Sequence, residues 1–356
     1  IHVAWGADQV DEEDMPSEKR PDPFVDSSGS LAFTEYFRCN QCHTTFPLGD
    51  LLVRNADTLG RHVPVPLHLD TLAYLRAAHP QLELLSQREK ALTDAEVIQI
   101  RTDVWKLEAP THAVNLGISC EACHLGSREH AQGKLAKAHF FPRGSHLYAE
   151  AEATLDFGRT HDNVNWACGR CHTGDRRQLA GGMATWNSTE YTDAMRGSCY
   201  SKLRCIDCHD PHTATGRKWE GTPRHDAQLC LKCHQEFESL EARAAHTHHP
   251  ADSSGANCMN CHMPRINEGL QDVVRTHKIF SPTNRRMIES NHPNACNQCH
   301  TKEPIGWTMR YLSEWYGAEF DRNLIAKNYH DPQEGVASGW LKSSDQSVRL
   351  IAADAL

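Results

Sequence analysis

Cys205-Ile206-Asp207-Cys208-His209, followed by His212 and His225 and then by Cys230-Leu231-Lys232-Cys233-His234, sets the terms for the whole chain. Two cysteines separated by two residues, with histidine directly after the second, form the attachment signature of c-type haem. Each thiol makes a thioether to a haem vinyl and the histidine ligates iron from one face. Both sulfurs and the imidazole must reach one porphyrin from a single turn of backbone, which fixes the spacing.

The pattern recurs at Cys39/Cys42/His43, Cys120/Cys123/His124, Cys168/Cys171/His172, Cys258/Cys261/His262 and Cys296/Cys299/His300, seven motifs in all. Paired CxxC elements also build zinc ribbons and disulfides. With 24 histidines in 356 residues, histidine after all seven pairs has a chance probability on the order of 10⁻⁸. Zinc sites do not demand that residue each time, and disulfides do not demand it at all. The expectation is a cytochrome with seven covalent haems c, attached through the fourteen motif cysteines, with His43, His124, His172, His209, His234, His262 and His300 as proximal ligands.

Aliphatic, aromatic and cysteine residues make up 39% of the chain, and the mean hydropathy of -0.60 is low for a protein with a large apolar interior. Seven macrocycles, one per about 51 residues, would supply the missing apolar surface. The expected class is therefore mainly α with extensive irregular loops and little sheet, a multihaem cytochrome c fold organised around its cofactors. Of the 15 cysteines only Cys199 falls outside a motif, which excludes a disulfide framework. The formal charge of -9 falls to about -16 with ionised propionates, which argues against nucleic acid as a partner. No apolar run approaches the ~20 residues of a membrane-spanning helix. Ile1 at the start suggests a processed or partial N-terminus.

In chain order, residues 1–34 read as an extended acidic arm, with Asp11-Glu12-Glu13-Asp14 among prolines and serines. Residues 35–119 hold the first motif and a helical insert. There Thr93 and Glu96 form a capping box, Val97, Ile100, Val104 and Leu107 mark one helix face, and a further helix is expected over Asp70–Ala78 with Leu72 and Leu75 inward. Residues 120–303 form a multihaem core with six motifs. Within it, 173–204 carries turn signals at Gly181-Gly182 and Gly197-Ser198. Residues 304–356 read as C-terminal helices: one from Pro304 to Tyr316 stopped by Gly317, and one from a Ser343/Gln346 capping box.

Cys258 to Pro264, with His277 following, resembles the corresponding part of cytochrome c nitrite reductases and their octahaem relatives. Cys120 to His124 with His130 is similar to a segment of hydroxylamine oxidoreductase and the tetrahaem cytochromes of nitrifiers, with Leu125-Gly126-Ser127 in place of the usual Gly-Pro-Gly. Pro293 to His300 through Trp307 and Trp315-Tyr316-Gly317 resembles bacterial multihaem cytochromes in which HEAT- or TPR-like repeats follow, so that 304–356 would begin such a repeat. The pentahaem nitrite reductases use lysine as proximal ligand at the catalytic haem, whereas all seven motifs here end in histidine. Bacterial c-type attachment occurs outside the cytoplasmic membrane, so the resemblance implies a periplasmic or extracellular protein.

Further histidines can supply second axial ligands, and a bis-histidine haem passes electrons without binding small substrates. By position the candidate distal ligands are His62, His130, His161, His212, His225, His249 and His277, with His112, His146 and His292 in reserve. His2, His246, His248 and His330 read as solvated, and Cys199 as a buried thiol. Arg170, Arg176, Arg177, Arg204, Arg265, Arg285 and Arg286 are candidates to pair with propionates. The expected function is electron transfer between redox protein partners along a row of haems, including extracellular electron transfer. One alternative is a reductase or oxidoreductase of nitrite, hydroxylamine or sulfur oxyanions with a five-coordinate haem. A second is a subunit of a larger respiratory complex, filament or homo-oligomer.

Overall fold

The computed structural model describes residues 42–54, 67–86, 92–107, 109–115, 117–124, 127–138, 145–149, 161–174, 176–212, 223–269 and 272–356. The acidic arm, Cys39, His62 and the side chain of His225 lie outside the described residues. The chain divides into two compact units, Ile1–Cys171 and His172–Leu356, whose boundary falls inside the third motif.

In the first unit the haem-free insert folds on itself. Helix α1 spans Leu48–Arg54, α2 spans Thr71–Ala78 and α3 spans Asp94–Trp105. The α2 N-cap is Asp70, whose carboxylate accepts from Ala73 N at 3.1 Å. At α3 the Thr93/Glu96 capping box closes both ways, which satisfies two amide donors that a helix start otherwise leaves open. Ile100 and Val104 then bury against Val53, Leu75 and Leu85. Val97, expected inward, is 38% exposed, because α3 turns only its C-terminal half to this cluster. A polar pin joins α1 to α2: buried Asp50 takes the Tyr74 hydroxyl at 2.7 Å and pairs with His79 Nε2 at 2.6 Å. Strands β1 (Leu67–Leu69) and β2 (Leu147–Ala149) pair antiparallel, His68 opposite Tyr148. The helix His161–Gly169, α4, places Trp166 in a small cluster with Leu48, Leu51, Leu52 and Leu147.

The second unit opens with turns and one short helix, Glu190–Met195 (α5), in line with the glycine signals of 173–204. Helices α6 (Pro223–Leu231), α7 (Leu240–Thr247) and α8 (Cys258–His262) follow. The hairpin β3 (Arg265–Glu268) and β4 (Val273–Arg275) is antiparallel with a register shift between Arg265 and Asn267. Five helices complete the unit: α9 (Arg285–Glu289), α10 (Ile305–Tyr316), α11 (Arg322–Asn328), α12 (Val336–Leu341) and α13 (Gln346–Ala355). Gly317 ends α10 in the left-handed region, φ +66°, where its lack of Cβ removes the steric cost. Ile266, Val273, Met287, Ile288, Ile305, Leu312, Trp340, Val348 and Ile351 meet in one continuous core.

The cap of α13 corrects the sequence reading. Asp345, not Ser343, is the N-cap and accepts from Ser347 N at 2.9 Å. Its carboxylate also clamps the Arg177 guanidinium at 2.5 and 2.7 Å, an ion pair that a serine cannot form. Ser343 Oγ instead accepts from Asp345 N. Sheet is confined to these two small ladders among the described residues, so the protein is mostly helix and turn. No described helix is long and apolar enough to cross a membrane.

Candidate haem-binding sites

Five of the motifs share one backbone device among the described residues. The N–H of the motif histidine donates to the carbonyl of the first cysteine at Cys120/His124 (2.7 Å), Cys205/His209 (3.0 Å), Cys230/His234 (3.0 Å) and Cys296/His300 (2.9 Å). At Cys258–His262 the same turn is a short α-helix. Residues three and four apart share a helix face, so this closure brings both thiols and the imidazole to one side. None of the fourteen described cysteines is disulfide-bonded.

Cys42 of the first motif lies beside the third motif. The half-buried Cys42 Sγ donates to the Cys171 carbonyl at 3.4 Å. Cys171 Sγ returns to the Cys42 carbonyl at 3.9 Å. Motif spacing carries no trace of the contact, because its partner lies 129 residues away. Burial lowers the pKa of His43, the next residue, and so favours its neutral form.

Neighbouring side chains hold the turns. Asn257 Oδ1 accepts from Met259 N at 2.9 Å to cap α8. Asn297, inside the last motif and 0% exposed, sits in a closed network. Its Oδ1 accepts from Asn294 Nδ2 (3.0 Å) and Thr308 Oγ1 (2.6 Å), and its Nδ2 donates to the carbonyls of His300 and Glu303. Asp207, inside the fourth motif, accepts from Arg204 N at 2.8 Å.

Three motif histidines face a second histidine ring. His209 and His277 have centroids 6.2 Å apart with planes at 25°. His262 and His246 are 6.2 Å apart at 4°, and His300 and His249 are 5.9 Å apart at 37°. Two imidazoles on opposite sides of one metal ion, each bonded at about 2.0–2.1 Å, have ring centres about 6.3 Å apart. All three pairs therefore carry the spacing of axial ligands to iron. Burial lowers the pKa of His209, His246, His277 and His300 below the ordinary imidazole value, which favours the neutral form that ligates a metal. No three His, Cys, Asp or Glu side chains converge on a metal-sized centre among the described residues.

Arg170 gives a second fit to the cofactor. It lies between Cys168 and Cys171 at 4% exposure and over the Trp166 ring at 5.3 Å, and its Nε and Nη2 have no partner among the described residues. An unpaired buried guanidinium calls for an anion, and a propionate carboxylate is one. Arg177, Arg204 and Arg285 are instead engaged by Asp345, Asp207 and Glu289.

Residues 200–239 match the family described as the doubled CXXCH motif. The chain is also similar to the multiheme cytochrome MtrA of Shewanella baltica strain OS185, 23% identical over 216 residues, or 52% of this chain and 57% of that relative. These likenesses, with the motif turns, support a multihaem c-type cytochrome. The chain spans little more than half the length of that curated relative. No solved structure gives a significant match.

One turn of the cytochrome serves two motifs. His246 lies in the last turn of α7, and His248 ends that helix in the left-handed region, φ 56°, with its N–H on the Ala244 carbonyl at 2.8 Å. The reversal sends His246 toward His262 and His249 toward His300. Gly255 makes room for the second ring, since a Cβ there would lie 2.3 Å from His249 Cδ2. His246, read from sequence as solvated, is half-buried here.

The other candidates sit elsewhere. His130 Nδ1 bonds the Leu135 carbonyl on the surface. His161 is engaged on both nitrogens, by Asp162 at 2.7 Å and Asn165 at 3.3 Å. His212 is exposed beside Asp210, and His292 Nδ1 accepts from Ala180 N at 2.9 Å. His112 faces His79 at 5.6 Å, but His79 Nε2 is already on Asp50. Cys199 is half-buried rather than buried, and burial raises its thiol pKa.

Sulfurs of successive motifs are neighbours. The Cys230 thiol hydrogen-bonds Cys258 and holds it down to about 7, while burial and Cys299 push Cys261 up to about 11. An aromatic row follows on one face of α10: His300 to Trp307 (4.6 Å), Trp307 to Tyr311 (4.8 Å), Tyr311 to Trp315 (4.7 Å) and Trp315 to His248 (4.0 Å).

Proposed function

We propose that this cytochrome is an electron-transfer protein that works outside the cytoplasmic membrane with seven bis-histidine haems, one on each motif. The observation that carries the reading is the recurrence of paired imidazoles at 5.9–6.2 Å on three motifs. A c-type haem supplies a one-electron couple, and the chain's residues decide what else can reach it. His277, His246 and His249 would occupy the positions opposite His209, His262 and His300, closing those sites to small substrates. The motif turns fix orientation, and Arg170 balances propionate charge. The hydrogen bond between the Cys230 and Cys258 thiols, and the electrostatic reach of Cys299 to Cys261, support sites close enough for transfer between the fifth, sixth and seventh motifs. The Cys42 and Cys171 contact does the same for the first and third motifs. Partners would be redox proteins that donate and accept electrons.

Denatured intact mass and ligand challenge test this reading. The mass should exceed that of the polypeptide by seven haems, and Cys42 should resist alkylation. A mass of six haems with Cys42 alkylated would remove the first site. Nitrite, hydroxylamine and sulfite should neither shift the oxidised spectrum nor turn over at ~1 per second or faster. A spectral shift accompanied by turnover would replace the carrier with a reductase.

A further inference from the structure

The motif histidines differ in what holds their second nitrogen. His262 Nδ1 donates to the Phe280 carbonyl, a neutral acceptor, at 2.8 Å. His234 Nδ1 meets the Glu236 carboxylate at 3.2 Å with both side chains exposed. His172 Nδ1 meets the Glu190 carboxylate at 2.8 Å, and the Glu190 side chain is only 25% exposed.

The Glu190 contact is built from both sides. Tyr191 N donates to the His172 carbonyl at 3.0 Å, tying the start of α5 to the motif. Ser188, held at φ 61°, turns its N–H onto Glu190 Oε1 at 3.0 Å. One carboxylate oxygen is thus fixed by backbone while the other takes the imidazole proton.

We infer that Glu190 is a potential-setting residue, which holds the haem of the Cys168/Cys171/His172 motif at a lower reduction potential than the haem of the Cys258/Cys261/His262 motif. This rests on the electron-transfer reading. A carboxylate accepting the Nδ1 proton draws that proton toward itself and makes Nε2 a stronger donor to iron. A stronger donor favours the ferric state, which carries the larger positive charge, so the site gives up its electron more readily. A carbonyl acceptor does the same more weakly, because it bears no full charge. The Glu190 charge also reaches His277 and His209, so the neighbouring site is lowered as well, by less. The result is a downhill step for electrons from the third motif toward the sixth.

Potentiometric titration followed by low-temperature EPR, on the holoprotein and on Glu190→Gln and Glu190→Asp, tests this. The component to follow is the one missing from a variant with alanine at Cys168 and Cys171. In Glu190→Gln its reduction equilibrium should shift toward the reduced state at least tenfold, or 59 mV for one electron. The haem count and low-spin character should stay unchanged. Glu190→Asp should shift it less, and Glu236→Gln should leave it in place. If Glu190→Gln moves no component, or moves all components equally, the inference falls while the electron-transfer reading stands. If Glu190→Gln does not fold, Glu190→Asp decides: a shift confined to this component supports the inference and no shift overturns it. If the wild type carries no haem at Cys168 and Cys171, both readings fall at this motif.

Discussion

Between Cys199 and His262 the described residues bury only Ala227, Ala256 and Met259 among their apolar side chains, whereas the stretch from Met263 to Leu356 buries Ile266, Val273, Phe280, Met287, Ile288, Ile305, Leu312, Trp340, Val348, Ile351 and others. Both stretches belong to one compact unit. The first contains three motifs and two of the facing histidines, the second a single motif at its N-terminal side. The C-terminal stretch has the interior of an ordinary helical protein, in which buried side chains each contribute about 1.5–3 kcal/mol. The motif-rich stretch has too little apolar surface for that. What it has instead are the thiols and imidazoles of three motifs, which under the proposed reading pack against haem.

That contrast is most exposed in the haem-free chain. Hydrogen exchange on protein made without haem attachment should show no protection over 199–262 and substantial protection over 285–356. Equal protection in both would break the comparison. Next in size, Trp340→Ala should cost about 3–5 kcal/mol in denaturant unfolding, as a large fully buried side chain removed from a dense core. The same variant should leave the haem count by mass unchanged, because attachment rests on the motif cysteines.

How much of this contrast could be read in advance depended on the range of the interaction. The motifs were legible because covalent attachment imposes a local spacing. So were α3 and α10, whose stops and starts sit within a few residues at Thr93, Glu96 and Gly317. The polar composition correctly pointed to little sheet. The facing histidines were legible only in part, since His277 and His249 were among several equally placed candidates and His246 was set aside. Which imidazole faces which depends on the left-handed turn at His248 and the space left by Gly255, and neither is a local sequence signal. The Asp345 cap was missed for a similar reason: its partner Arg177 is far away in the chain.

Two smaller effects sharpen the comparison. Gly255→Ala should push His249 from its place opposite His300, converting one ferric centre from low-spin to high-spin while costing about 1–3 kcal/mol from overpacking. An unchanged EPR spectrum would mean that the His249 ring has no role at that site. Asp345→Ala should cost about 1 kcal/mol at neutral pH. Burial pulls the Asp345 carboxyl upward, but the hydrogen bond and charge of Arg177 outweigh it and hold the pKa below the ordinary value. A depressed carboxyl contributes stability above its unfolded pKa of about 3.9 and loses it as pH falls through the lower folded value. The gap between wild type and Asp345→Ala should therefore be widest near neutral pH and narrow toward pH ~2, as read from urea midpoints across that range.

The central claim is that the facing imidazoles are axial pairs, and His246 tests it most directly because its surroundings in the sequence gave no reason to choose it. Near-infrared magnetic circular dichroism and EPR of the oxidised protein at neutral pH should show only low-spin, bis-imidazole iron. His246→Ala should convert one centre to high-spin with the haem count by mass unchanged. A high-spin centre already present in the wild type, or a His246→Ala spectrum identical to it, would contradict the pairing of His246 with His262 and the closed sites that the pairing implies.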